Sequence, residues 1–298
     1  MLPGAGAYQR VMTNMLIRLA ATAIVLTITS PALAQDASPP APATVDLGAD
    51  RITIGVGPAL VPSYTGSDQY ILVPGIAVQG QVSGFAFDTA GSSLYVDAIK
   101  GHGGTGWKPQ LGPLIAARLN RTTRIGDARV SALGELNTAW EVGVWGGMQR
   151  TGVVTSPYDT LSITASYQRD VGNAHRSYMI SPSVSYSTPL SHKDYVSLSA
   201  GADYIGRGFG SYYFDISTVG AAASGLAAYD GADRAGWQDW NTNMLVAHSL
   251  TGDLTHGLTV FATAGHQRLL GRYARSPIVA DAGSAGQWNG ALGVAYTF

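Results

Sequence analysis

The feature that most narrows what this chain can fold into is a two-residue hydrophobic period, repeated in runs of about ten residues. In Asp159 to Arg169, Leu161, Ile163, Ala165 and Tyr167 share one face, and Thr160, Ser162, Thr164, Ser166 and Gln168 share the other. In Ser177 to Thr188, Tyr178, Ile180, Val184 and Tyr186 oppose Ser181, Ser183, Ser185 and Ser187. Val196, Leu198, Ala200, Ala202 and Tyr204 continue the pattern, as do Met244, Val246 and Leu250. Alternate side chains of a strand point to opposite faces, whereas a helix would scatter this period around its axis. Runs of this length cross a bilayer at the tilt of a barrel strand. Trp140, Tyr167, Tyr186, Tyr204 and Tyr296 sit near ends of apolar faces, as interfacial aromatic girdles do.

The last run, Trp288 to Phe298, sets Leu292, Val294, Tyr296 and Phe298 against Ala291, Gly293, Ala295 and Thr297. It reads as a closing strand, and its terminal aromatic resembles the assembly signal of bacterial outer-membrane barrels. Tyr296 and Phe298 would be its key residues. Weaker candidates are Ile52 to Leu60, Ile71 to Gln79, Gly84 to Asp88, Leu94 to Ile99, Gln110 to Leu119 and Ala139 to Gly147. With Thr242 to Leu250 and Leu258 to Leu269, the expectation is an all-β fold. It is a transmembrane antiparallel β-barrel of about twelve strands, within a range of roughly ten to fourteen. Pro74, Pro113 and Pro182 fall inside strands and are expected to mark bulges or strand ends, because each removes a ladder donor.

An even strand number puts both ends of the barrel domain on the periplasmic side. Pro189 to Lys193 and Gly252 to Gly257 then become short periplasmic turns, while Gly206 to Asp239 and Gly271 to Gly286 become long external loops. That asymmetry is usual for such barrels. Within the first long loop, Ala221 to Tyr229 carries small, weakly polar residues. It is expected to fold inward or cap the barrel, with Tyr212, Tyr213, Phe214, Trp237 and Trp240 supplying the wall.

The start of the chain has a different character. Met1 to Ala34 reads as a cleaved signal peptide: Arg10 and Arg18, the apolar run Leu19 to Thr29, and the small-x-small site Ala32-Leu33-Ala34. Met12 and Met15 are alternative starts, since the residues before them add nothing to a signal. Residues 35–50, with Ser38-Pro39-Pro40-Ala41-Pro42, form a Pro/Ala linker on the periplasmic side, and 51–298 form the barrel domain. Removing the signal leaves 16 basic against 19 acidic residues, a net charge of about −3, so no nucleic-acid partner is implied. With 0 cysteines, an exported chain has no disulfide framework, and stability must come from a continuous sheet. Charged residues make up 12%, about half the share of a soluble domain. No helix-length apolar segment follows the signal, so the low charge points to a barrel.

Motifs for chemistry are sparse. Gly101-His102-Gly103-Gly104-Thr105-Gly106 spells a dinucleotide fingerprint, but that motif must open a helix, and Pro109, Gly112 and Pro113 follow. It is a glycine-rich turn. The six histidines show no metal-site spacing, and no cofactor is implied. A barrel hydrolase would need Ser, His and an acidic or amide partner at one rim. No nucleophile motif accompanies His175 or His192, and Glu135 and Glu141, the only glutamates, suggest no paired acid. Residue chemistry therefore points away from an enzyme.

Two loops are more distinctive: Pro62-Ser63-Tyr64-Thr65-Gly66-Ser67-Asp68, and the segment from Tyr213-Phe214 through Ser224-Gly225-Leu226 to Tyr229. By composition both read as loop packing or as a partner or ligand surface. At these loops the chain resembles the MipA/OmpV family of outer-membrane proteins. The family's Pro-x-Tyr-x-Gly-Ser-Asp motif is matched by Pro62, Tyr64, Gly66, Ser67 and Asp68. Its Tyr-Phe and Ser-Gly-Leu-x-x-Tyr elements are matched by Tyr213, Phe214, Ser224, Gly225, Leu226 and Tyr229. Its closing pattern appears as Arg268 to Gly271, Ser276-Pro277-Ile278-Val279, Gly283-Ser284 and Gln287. The resemblance covers Arg51 to Phe298 and is poorest from Gly101 to Val154.

The resemblance implies a non-catalytic barrel of the Gram-negative outer membrane, in contact with its lipid and inserted by the barrel-assembly machinery. The family's namesake, the MltA-interacting protein, is similar to a scaffold between a lytic transglycosylase and a murein synthase. The alternative implied is a small-solute, porin-like channel or a surface adhesin. Murein enzymes work on the periplasmic side, whereas both distinctive loops fall outside. Either those motifs serve folding, or their loops enter the lumen, or the scaffold role does not transfer.

Overall fold

The computed structural model describes residues 50–101 and 106–298. The signal at 1–34, the linker apart from Asp50, and 102–105 of the glycine-rich string lie outside the described residues. Twelve strands form one closed antiparallel barrel, each paired to its sequence neighbours and the last to the first. They are β1 (Arg51–Pro62), β2 (Tyr70–Val82), β3 (Phe85–Ala90), β4 (Ser93–Val96), β5 (Trp107–Arg118) and β6 (Ala139–Thr151), then β7 (Thr160–Asp170), β8 (Tyr178–Pro189), β9 (Asp194–Ile205), β10 (Gly236–Ser249), β11 (Gly257–Leu269) and β12 (Gly286–Thr297). A strand, not a helix, follows Gly106, so the glycine-rich string has no helix start on which to seat a phosphate.

The alternation assigns the faces as expected. Ile163, Tyr167, Val184, Leu198, Leu292, Val294 and Tyr296 are exposed on the outer wall. The serine row points inward: Ser181 Oγ donates to Asp203, and Ser183 Oγ pairs with Thr164 Oγ1 at 2.8 Å. The barrel closes through β1 and β12, where Thr53 Oγ1 meets Thr297 Oγ1 at 2.8 Å. Small residues beside this seam make room for one large ring. A Cβ on Gly293 would lie 2.6 Å from Phe261 Cζ, so the inward Phe261 fills space that only glycine leaves.

Short turns gather at one end, with residues 83–84, 152–159, 190–193 and 250–256. Ser83 and Gly84 both have positive φ, as a two-residue turn matching strand twist requires. At the other end, 119–138, 206–235 and 270–285 are long and carry five short helices. These are α1 (Ala128–Ser131), α2 (Arg207–Phe214), α3 (Thr218–Ser224), α4 (Gly271–Arg275) and α5 (Pro277–Ala280).

Two expectations need correction. The 206–239 loop ends at 235, because β10 begins at Gly236; Trp237 and Trp240 are strand residues, not part of a loop wall. Trp237 packs edge-on against Tyr204, and Trp240 lies beside His266, which also touches Trp288. They belong to the outer aromatic girdle, and the register shift between Trp237 and Asp239 is a bulge that turns them outward. Nor do the prolines introduce bulges. Pro182 keeps its register with Ala165, while the β8–β9 ladder skips two rows beside it and resumes unchanged. Pro113 lies one residue beyond the last β4–β5 rung, which ends at Leu114. Pro74 faces Pro58 in register and lies on a free strand edge. Each missing N–H thus falls where a rung is absent.

One short turn is held by a single carboxylate. Asp159 accepts from the N–H groups of Val153 (2.6 Å), Val154 (2.7 Å) and Thr155 (2.6 Å), and from Tyr186 Oη at 2.8 Å. Burial opposes the charge, but these donors outweigh it and hold the carboxyl far below the usual range. A depressed folded pKa stabilises the turn above the unfolded value, about 3.9, and that contribution is lost as pH falls through the folded value. Proteolytic nicking within 152–158 should therefore be rare at neutral pH and rise only in strong acid. Asp159→Asn should be nicked readily at neutral pH, and equal resistance of variant and parent would refute the role.

Candidate functional site: the capped barrel mouth

The long loops do not project freely; they pack over the barrel mouth in three connected layers. The first is the turn after β1. Ser67 N donates to Tyr64 O at 2.9 Å, and Gly66 takes φ +100, which that turn demands at its third position. A Cβ on Gly66 would sit 2.5 Å from Val279 Cγ2. Gln287, inward on β12, grips the turn: its Oε1 accepts from Gly66 N at 2.8 Å, and its Nε2 donates to Ser67 O (2.8 Å) and Tyr64 O (3.2 Å). Tyr64 Oη donates to Ala282 O at 2.7 Å, and Ser284 N donates to Gly66 O at 2.7 Å. Burial first, then the nearby Asp127, push the Tyr64 phenol far up, so it remains a neutral donor.

The second layer joins α2, α3, α4 and α5. Tyr213 and Phe214 are buried with Phe209, Leu269 and Tyr273. Ser276 Oγ donates to Phe214 O, and Pro277 opens α5 just after it. Ile216 and Tyr229 exchange backbone hydrogen bonds, and Tyr229 Oη donates to Arg272 O at 2.7 Å. Gly225 ends α3 with φ +74, turning Leu226 into a cluster with Tyr64, Val130, Ile216 and Ile278. Within Ala221 to Tyr229, Ala221, Ser224, Leu226 and Tyr229 pack into the cap, whereas Ala222 and Ala223 face outward, as does Val219 just before them.

The third layer, where cap meets lumen, is polar. Glu141 on β6, 1% exposed, receives Arg118 Nε (3.1 Å) and Nη2 (3.0 Å), Gln168 Nε2 (2.6 Å) and His175 Nε2 (2.8 Å). His175 Nδ1 accepts from Ser177 N at 3.2 Å, which places the ring proton on Nε2, toward the carboxylate. The Arg118 guanidinium lies 4.9 Å from the Phe209 ring, and His175 touches Phe209 and Tyr213. All four donors to Glu141 and both imidazole nitrogens are committed, while the buried Tyr213 hydroxyl beside them has no partner among the described residues. The arrangement is a lock between strands and cap.

Most motif residues therefore meet in one place. Tyr64, Gly66, Ser67 and Gln287 form the turn clasp. Tyr213, Phe214, Ser224, Gly225, Leu226, Tyr229, Ser276 and Pro277 build the helical layer. Pro62 ends β1, and Asp68 sits half-buried at the turn's edge. Tyr296 and Phe298 stand apart, at the opposite end, with rings 4.8 Å apart on the outer wall. Glu141, Arg118 and Gln168 were not legible as a cluster, although Glu141 is an acid on the lumen face between the outward Trp140 and Val142.

A closed twelve-strand barrel with an apolar outer belt, short turns at one end and long loops at the other is a transmembrane β-barrel of the outer-membrane type. Within that class, the chain belongs to the MltA-interacting protein MipA family, whose model matches residues 54–298. No curated protein matches the chain. Among solved structures, it is similar to a "Bacterial polysaccharide outer membrane secretin", at 10% identity over 84% of this chain and 98% of that one, with a TM-score of 0.33.

Proposed function

We propose that this protein is a non-catalytic outer-membrane scaffold that holds a murein lytic transglycosylase, and with it a murein synthase, at its periplasmic rim. The family name supplies the partner class, since MipA denotes an MltA-interacting protein. The observation that carries the reading is the distribution of the motif residues. Nearly all are spent on bracing the external cap, which takes that end of the barrel out of play and leaves the short-turn end for a partner. The motifs then serve folding, so their external position does not conflict with periplasmic binding.

Binding of purified MltA to the barrel in nanodiscs tests this. Replacing turns 190–193 and 250–256 with Gly/Ser linkers should weaken binding strongly, and deleting 218–228 should leave it intact. No binding to the parent, or loss only on deleting the cap segment, would rule out the scaffold. Assembly is a separate matter. Phe298 carries the terminal aromatic expected to address the barrel-assembly machinery, and its N–H pairs with Ile52 O at 2.9 Å. Deleting Phe298 should nearly abolish outer-membrane levels while unfolded protein accumulates in the periplasm. Normal levels would refute that role.

A further inference from the structure

The barrel wall is incomplete on one side. All of β2 from Tyr70 to Gln81 pairs with β1, but β3 meets β2 only at Gln79 to Val82. The next hairpin is short: β3 has 6 residues and β4 has 4, and β4 meets β5 over three rows. Above the hairpin tip at Gly91 and Ser92, the upper half of β2 has no strand beside it among the described residues. Two side chains reach its edge among the described residues. Thr89 Oγ1 bonds Val78 N (2.8 Å) and O (3.2 Å), and Arg124 Nη1 donates to Leu72 O at 3.2 Å. Those contacts identify the side to which Leu72, Pro74, Ile76 and Val78 direct their backbone groups. Between the two contacts lies a window. Ala77, lumen-facing by its pairing with Gly55, lies in this window and is exposed, as is the lumen-facing Gln79 on the first paired row at its lower margin.

The outer wall beside the window carries an apolar groove of about 510 Å³, lined by Val56, Pro58, Leu72, Pro74 and Ile76 over a floor at Gly57. Leu72 and Ile76 are 62% and 68% exposed. An open sheet edge cannot face hydrocarbon alone, because its N–H and C=O groups need polar partners. An added strand is a poor partner, since Pro74 would cost it a rung at the middle of the edge. A molecule with an apolar tail and a polar end satisfies groove and edge together. We propose that this window is a lateral binding site for a bilayer amphiphile, with its acyl chain in the groove, its polar end at the β2 edge and lumen, and Arg124 as the latch above it. This goes beyond the scaffold reading and does not depend on it.

The test uses the full-length protein in phosphatidylethanolamine/phosphatidylglycerol nanodiscs with two photoactivatable lysophospholipids, one tagged on the tail and one on the headgroup. Adducts are mapped by mass spectrometry. The tail probe should label Leu72 and Ile76 several-fold above Ile163 and Val184, which are outward on fully paired wall. The head probe should label Ala77 or Gln79 several-fold above Ser183, inward behind that wall. Arg124→Ala should raise the head-probe signal further, and Arg124→Lys should raise it less. Uniform tail labelling around the barrel would mean ordinary annular lipid and overturn the site. Absence of head-probe label at Ala77 and Gln79, or a crosslinked second copy at β2, would overturn it as well.

Discussion

Glu141→Ala is expected to destabilise the cap by about 3 kcal/mol. The carboxylate takes four donated hydrogen bonds from β5, β7 and the 171–177 turn, and its loss strands a guanidinium and an imidazole among aromatic rings. Arg118 keeps 25% of its side chain exposed, which holds the cost near the low end for breaking a buried pair. Replacing both partners should cost much less, because Arg118→Met with Glu141→Leu leaves no uncompensated charge. The readout is protease protection of 206–235 together with the temperature at which the compact, heat-modifiable band disappears. A silent Glu141→Ala, or a double variant as damaged as the single, would show that the nest does not hold the cap.

How far the sequence could be read depended on whether a signal was local. The strands of 159–204 were legible because each wall face meets one solvent, so alternation such as Ile163 against Thr164 survives in the sequence. The β3–β4 hairpin was legible only as two weak runs, and its shortness, which opens the wall, lies in pairings that no local pattern encodes. Trp237 and Trp240 looked like loop aromatics because the β10 bulge breaks the period just where the strand begins. The cap helices, of 4 to 8 residues, are too short to be helical without tertiary support. Gln287 clasps a turn 221 residues earlier, and Glu141 draws on two other strands and a turn; neither partnership leaves a mark in its own neighbourhood. Motif order located the cap residues, while their geometry gave the motifs a structural reason.

The second large effect concerns passage through the barrel. Met179, Glu141, Gln168 and Leu269, inward on four strands, are covered by the cap, with Phe209 and Tyr213 of α2 stacked on the polar nest. On the scaffold reading proposed above, this cap closes the mouth and leaves the short-turn end as the working surface, so passage through the barrel should be blocked. Single-channel conductance in planar bilayers decides this, comparing the parent with a variant in which 207–234 is replaced by a short Gly/Ser linker. The strands flanking the replacement, β9 and β10, pair over twelve rows, so the barrel should remain folded and heat-modifiable. The parent should show no steady conductance and the variant clear, long-lived openings. Steady openings of the parent with the same conductance as the variant would contradict that reading.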